Sequence, residues 1–539
     1  MLFRSALERI KQSINDIKTK YKKIELENEK TQPNKNKKQN KEQMSIETNK
    51  KNIQIQLEKE EMSKKKIKEQ IEENNRILSL QSYLVGKKLA KPQFYGSKEN
   101  ILKLFDYYIK NNPLYIKEYD RLNNQQKKAF IFSNTADKYL LIQGFPGSGK
   151  TTFITFLLRG FLVRKLKCLF IAHTNVAVDN VCLKKKKKNI NFIRIAPLNS
   201  DLVHPDIKKY ILDLHQFKTI EQYENHINNT KIFCTTTASI GHKIFQNIFF
   251  DYGIFDEVCQ TFEPELLGPL ILCDKFIFVG DPNQLKAPIK TIPINEQVPT
   301  LFERLISHHK NAFIKFSVQY RMNEKISELS SKCVYNGEMK CDEINKNRIL
   351  KIDINNIKKN KKLKKADKDS MIDFNIFKDI IDPYKPVVFV EYSKLFNEKE
   401  LNEANYVNKI EIKLIKEILN MIKLSKFDFN DIGIITPFLK QEKFMANEFE
   451  NIGFNNVYTI DKSQGSEKEI IIISFVKTYF NNSIVNDLAR INVAFTRAKN
   501  KLIILGVKDV LTKFDNIKKY INQMEEMNAI YDLKEKRFI

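Results

Sequence analysis

Residues 141–153 read LIQGFPGSGKTTF, and few folds can accommodate that string. A strand-like run, 139–142, enters a loop containing Gly144, Pro146, Gly147, Ser148 and Gly149, and the chain leaves it through Lys150, Thr151 and Thr152 on an amphipathic segment. Glycines let successive backbone N–H groups wrap a polyphosphate, and the following helix points its positive end at the same place. Lys150 would neutralise the β and γ oxygens, and the Thr151 hydroxyl would ligate Mg²⁺. Strand, loop and helix in this order call for a layered α/β domain that binds ATP or GTP.

Downstream, residues 253–260 read GIFDEVCQ, an apolar strand ending in two adjacent acids. Asp256 would hold the Mg²⁺ through its water shell, and Glu257 lies where a base can orient and deprotonate a water. Such a pair alone is usually a solvated strand end. After a phosphate loop in the same α/β pattern, it implies hydrolysis with water as acceptor.

With 539 residues, 42% of them hydrophobic, the chain can bury two substantial cores. Its most apolar stretch, 156–172, is interrupted by Arg159, Arg164, Lys165 and Lys167, so no membrane span is expected, and an intracellular protein is. The seven cysteines are scattered without a C-x-x-C pair, which argues against disulfides, zinc or an iron–sulfur cluster. A net charge of +27 suits a polyanionic partner, although lysine is abundant everywhere and runs such as 184–188 also read as solvated loops.

The chain divides by pattern. Residues 1–95 are Lys/Glu-rich, with Phe3, Leu7, Ile10, Ile14, Ile17, Tyr21 and Ile24 forming a heptad seam, either a coiled coil joining two copies or a stalk helix. Residues 96–121 read as a linker. From 122 to 310 strand-like and helical runs alternate, which favours a parallel sheet covered on both faces. A second such series, opening at 313–318, occupies 311–520, with a Lys-rich insertion at 342–385 and a tail at 521–539. Two α/β units with one phosphate loop between them describe a sandwich around ATP.

Three further strings would complete that crevice. GDPNQ, 280–284, places a carboxamide, Gln284, where it can sense a γ-phosphate. QYRM, 319–322, and RINVAFTRAK, 490–499, put Arg321 and Arg497 in the unit without a phosphate loop; Arg490, Val493, Ala494 and Arg497 are expected on one helical face. An arginine reaching across the cleft stabilises charge on the transferring phosphoryl group.

The ordered set LNNQQKKA, GFPGSGKTT, HTNVAVDN, CTTTAS, FDEVCQ, GDPNQL, VQYRM, IGIITPF, TIDKSQGSEKEIIIISFV and RINVAFTRAK resembles the superfamily 1 helicases of class B over residues 122–533. Within them it is similar to the helicase half of the eukaryotic replication helicase/nucleases that process Okazaki flaps. The resemblance implies tandem RecA-like domains. It implies that Gln126 reads the adenine, that Tyr320 stacks on it, and that Gly465 and Glu467 lie near the γ-phosphate and ribose. For nucleic acid it points to Thr174, Asn175, Thr235, Thr236, Thr436, Pro437 and Ser463, whose small polar groups suit a grip on a backbone irrespective of sequence.

The chain departs from the family pattern at Val258-Cys259, after the paired acids, and at Lys286-Ala287, after the sensor glutamine. No cysteine precedes residue 122, so the cluster-bearing nuclease half is expected to be absent. The resulting expectation is an ATP- and Mg²⁺-dependent 5′ to 3′ helicase on single-stranded or flapped DNA, in a nucleus-like compartment, with replication or repair proteins as partners. An RNA helicase of the same superfamily and a scaffold with a degenerate motor are the alternatives.

Overall fold

The structure, a computed structural model, describes residues 112–186, 190–198, 200–287, 299–354, 371–397, 406–480 and 484–539. The heptad seam, the linker up to residue 111, and residues 355–370 of the Lys-rich insertion lie outside them.

Seven strands form the first sheet: β1 Tyr139–Gly144, β2 Cys168–Ala172, β3 Ile193–Ile195, β4 Ile232–Thr236, β5 Phe250–Asp256, β6 Cys273–Gly280 and β7 Phe313–Phe316. Their order is β3-β4-β2-β5-β6-β1-β7, and every pairing is parallel. Parallel strands need crossovers, crossovers place helices on both faces, and strands so covered read as unbroken apolar runs. Alternate residues feed two cores: Leu140 and Ile142 pack with Phe153, Leu157 and Val178 on one face. On the other, Tyr139 and Leu141 meet Leu270, Phe302 and Leu305.

After a small parallel pair, β8 Val318–Gln319 and β9 Lys340–Cys341, the second sheet follows. It comprises β10 Val387–Glu391, β11 Ile432–Thr436, β12 Val457–Thr459, β13 Lys468–Ser474, β14 Ala498–Gly506, β15 Ile530–Asp532 and β16 Arg537–Phe538. The order is β12-β11-β13-β14-β10-β15-β16, parallel except for β15 with β16. Ile470 to Ile473 and Leu502 to Leu505, none more than 1% exposed, form the centre of its core.

Two expected boundaries are corrected. The strand that was to open the second unit, β7, pairs with β1 and closes the first sheet, burying Ile314 and Phe316 in the first core. Residues 521–539 are no tail: Ile530 and Tyr531 are fully buried beside β10. Both are edge decisions, set by which neighbour offers an unpaired strand, and local pattern does not encode them. The Lys184–Lys186 run is the last turn of the helix Asn175–Lys186 and no solvated loop, for Lys185 is fully buried.

Candidate active site

The carboxyl ends of β1, β5 and β6 open on a cavity of about 370 Å³ that the second lobe closes. Pro146, Lys150, Thr151, Asp256, Glu257 and Gln284 line one wall, and Arg321, Gln464, Gly465, Glu467 and Arg497 line the other.

On the loop, Lys150 folds back across Gly144, its Nζ donating to the Gly144 carbonyl at 2.6 Å. A Cβ on Gly144 would lie 2.3 Å from Lys150 Cγ, so only glycine fits beneath that side chain. Gly147 has φ +72°, and a Cβ there would come within 2.7 Å of Arg321 Cβ; the loop thus touches the segment carrying the second-lobe arginines. Gly149, φ +82°, is the N-cap of the helix Lys150–Val163. The buried Ser148 Oγ has no hydrogen-bond partner among the described residues, and burial pulls the Lys150 pKa below the ordinary lysine value. An orphaned hydroxyl and a desolvated ammonium on a glycine loop fit a phosphate chain, and Thr151 and Asp256 beside them are the donors a Mg²⁺ ion would take. Thr152, which is exposed, accepts from Nζ of the cavity-lining Lys184 at 3.1 Å.

At the end of β5, Asp256 Oδ1 accepts the Glu257 N–H at 2.9 Å. Glu257 has φ +54°, a left-handed conformation that costs a non-glycine residue about 1 kcal/mol or more and is found where a site requires it. Burial, with the Asp256 charge adding to it, raises its carboxyl to about 7. Thr174 Oγ1 lies 3.4 Å from its Oε2.

Arg321 pairs with Glu467 and donates from Nη1 to the Thr496 carbonyl at 2.9 Å. Burial alone would raise the Glu467 pKa, but Arg321 and Arg497 bring it below the usual carboxylate range. Arg497, 3% exposed, donates from Nε to the Val493 carbonyl at 2.9 Å and from Nη2 to Thr496 Oγ1 at 3.2 Å. It has no ion pair among the described residues, and burial next to Arg321 pushes its pKa down to about 9. It stays cationic at neutral pH, partly offset by the nearby Glu467 and Glu257 carboxylates, and lines the same cavity as the phosphate loop. The expected common face with Arg490 does not exist: the helix Leu488–Phe495 ends two residues early, and Arg490 turns instead to Asp461 and Asp487.

Gln126 and Tyr320 both flank Gly149. Gln126 Nε2 donates to the Ser148 carbonyl at 3.2 Å, and the Tyr320 hydroxyl accepts from Asn123 Nδ2 at 2.7 Å. The residues named for nucleic acid behave differently. Thr235, Thr436 and Ser463 are at most 1% exposed. The hydroxyls of Thr235 and Ser463 donate to the carbonyls of Ile195 and Ile460, and that of Thr236 to Ser239 Oγ. Asn175 Oδ1 accepts from Arg194 at 2.6 Å. Thr174 and Pro437 remain half-buried. The hydroxyls of Thr235, Thr236 and Ser463 thus bond to neighbouring segments of the chain.

Sequence reasoning missed a hub. Asp281, 5% exposed, accepts from Gln284 Nε2 at 3.0 Å, from Gln143 Nε2 at 3.3 Å and from the Tyr335 hydroxyl at 2.7 Å. The Tyr335 hydroxyl in turn accepts from Asn492 Nδ2 at 2.8 Å, and the same amide reaches the Asn283 carbonyl at 2.9 Å. A continuous chain of hydrogen bonds thus runs from the Gln284 carboxamide to the helix that precedes Arg497. In sequence Tyr335 reads as the turn after a helix, and nothing in VYNG signals it.

Two family models, each described as an AAA domain, match residues 121–226 with 214–292, and residues 298–509. The DNA replication ATP-dependent helicase/nuclease DNA2 of Xenopus laevis is 34% identical over 427 residues, covering 77% of this chain and 40% of that protein. Its namesake in Homo sapiens is 32% identical over 76% of this chain and 39% of its own length. That of Saccharomyces cerevisiae is 31% identical over 78% and 28%. The chain spans two-fifths or less of these relatives' length. Among solved structures, arterivirus nonstructural protein 10, a helicase, in complex with DNA aligns over 72% of this chain and 64% of that one at 16% identity, with a TM-score of 0.37. Ordered motifs, both domain models and this shared identity agree that the chain belongs to the superfamily 1 helicases.

Proposed function

We propose that this chain is an ATP-dependent helicase moving 5′ to 3′ along single-stranded DNA, acting in replication or repair in a nucleus-like compartment. The observation that carries the reading is the pair Arg321 and Arg497, contributed from beyond the first sheet, lining one cavity with the phosphate loop. In this reading Lys150 and the loop amides bind the triphosphate, while Gln126 and Tyr320 on the Gly149 side receive the base. Mg²⁺, held by Thr151 and Asp256, would neutralise phosphate charge. Glu257 takes the proton of the attacking water, and Arg497 meets the charge that develops as the bond breaks. The relatives' names support DNA as the track.

Stimulated ATPase, measured with single-stranded DNA against RNA, together with unwinding of duplexes tailed at one 5′ or one 3′ end, tests the proposal. DNA-stimulated turnover and unwinding of the 5′-tailed duplex are expected; stimulation by RNA alone, or by neither, overturns it.

The hydrogen-bond chain through Tyr335 then couples γ-phosphate sensing to the second lobe. Tyr335→Phe keeps the ring that packs on Phe145 at 4.3 Å and deletes only the hydroxyl. Losing its two buried bonds, the one it donates to Asp281 and the one it accepts from Asn492, should lower DNA-stimulated kcat about tenfold, roughly 1.4 kcal/mol, with KM for ATP within about twofold. An unchanged stimulated kcat reduces Tyr335 to packing.

A further inference from the structure

The stem of the Lys-rich insertion reaches back to the segment that carries Arg321. Arg348, just after the short helix Glu343–Lys346, bridges two elements: its Nη1 donates to the Arg321 carbonyl at 3.3 Å and its Nη2 to Glu469 Oε1 at 3.1 Å. Its own carbonyl accepts from Asn323 Nδ2 at 2.7 Å, so it grips the segment around Arg321 at two points. Glu469 lies on β13, two residues beyond Glu467, the carboxylate that pairs with the Arg321 guanidinium. Between them, the Lys468 N–H donates to the Arg497 carbonyl at 3.1 Å. The start of β13 thus holds both arginines of the second wall.

Arg321 stands at a junction. Tyr320, before it, donates its N–H to the Gly147 carbonyl of the phosphate loop at 2.9 Å, and Asn323, after it, donates its N–H to the Lys499 carbonyl of β14 at 2.7 Å. Gln319 shapes the turn between them, its Oε1 accepting the N–H groups of Arg321 and Met322 at 2.8 and 2.7 Å. Folding does not require the Arg348 bridge. The Arg348 and Glu469 side chains are 33% and 20% exposed, and ion pairs so placed add little to stability. Glu469 also has Lys499 Nζ at 3.5 Å and accepts from Asn500 Nδ2, so losing Arg348 leaves no unpaired carboxylate. What the bridge supplies is direction, because a planar guanidinium holds its two acceptors in a fixed relation.

We propose that Arg348 is a positioning residue for ATP hydrolysis, tying the Arg321 backbone to β13 through Glu469 so that the Arg321 guanidinium meets the triphosphate from one fixed place. Arg348 does not line the cavity and acts on the reaction through Arg321. A misplacement of about 1 Å can cost about 10²-fold in rate, and the loss of one anchor among several costs less than that. The inference rests on Arg321 belonging to the ATP site, and the experiment separates the two.

Steady-state ATP hydrolysis by the full chain, run as a double-mutant cycle, tests it. Arg348→Gln should lower kcat about tenfold, with the thermal midpoint within about 2 °C of wild type. Arg348→Lys, a point charge without the fork, should recover little of the lost rate. In the Arg321→Ala background Arg348→Gln should change kcat by less than about twofold, because the group it positions is gone. An equal loss in both backgrounds, or a kcat within about twofold of wild type in Arg348→Gln alone, overturns the proposal and leaves the ATP site standing. If Arg348→Gln does not fold, Glu469→Gln, which keeps an acceptor and removes the charge, carries the same cycle. Failure of both to fold makes the bridge a structural one and overturns the proposal too. If Arg321→Ala itself hydrolyses ATP at the wild-type rate, the place of Arg321 in the site falls, and the bridge with it.

Discussion

Arg497→Ala is expected to lower kcat for ATP hydrolysis by at least about 10³-fold, roughly 4 kcal/mol, while ATP affinity stays within about tenfold. Three structural facts set that size. The guanidinium is 3% exposed, so its field acts on the cavity with little screening. It makes no direct ion pair among the described residues and lies beside a second arginine, with Glu467 and Glu257 offsetting its charge only from a distance, so an anion developing in the cavity gains from it directly. The loop, Lys150 and the metal donors lie on the opposite wall and bind the ground state without it. Arg321 offers an internal control: it already pairs with Glu467 and holds the Thr496 carbonyl, so Arg321→Ala should disturb the lobe as well as the chemistry, raising KM together with lowering kcat. Arg497→Lys should recover little, because a point charge replaces a planar fork whose Nε and Nη2 are anchored to Val493 and Thr496. Single-turnover hydrolysis measures this directly; a loss below tenfold would mean that Arg497 serves packing.

The contrast between what sequence revealed and what it did not follows from range. The phosphate loop is legible because its chemistry lies in a dozen consecutive residues whose glycines have local reasons: Gly149 needs φ +82° to start a helix, and Gly144 must admit the Lys150 stem. The two parallel sheets are legible because buried strands are apolar throughout and alternate with amphipathic helices. Edge membership is not local, so β7 and the strands of the last ten residues were assigned to the wrong places. Side-chain direction is not local either. Thr235 and Ser463 occupy the strand and turn ends that their motifs promised, yet their hydroxyls turn inward to carbonyls of neighbouring segments. Tyr335 and Asp281, 54 residues apart in the chain, meet only because the two lobes close on each other, and each alone is an ordinary residue.

Glu257→Gln should lower kcat by about 10²- to 10⁴-fold and leave ATP binding intact. The amide preserves volume and hydrogen-bonding reach but accepts no proton, so binding and proton transfer separate cleanly. The left-handed backbone at Glu257 is held by its own N–H to Asp256, which the substitution does not touch. Acidity provides a second, independent reading of the same residue. Burial first, and repulsion from Asp256 second, raise the carboxyl to about 7, and the two acids titrate as a pair. A raised carboxyl is protonated and inert as a base below that value and becomes competent above it. The kcat/KM of the wild type should therefore climb about tenfold between pH 6 and pH 8 and then level, since that ratio reports ionisations of the free enzyme. Glu257→Gln, which mimics the protonated form at every pH, should give a low and flat profile. An unbroken wild-type plateau down to pH 6 would show that Glu257 is already ionised in the free enzyme, and loss of ATP binding in the variant would make it a structural brace for the end of β5.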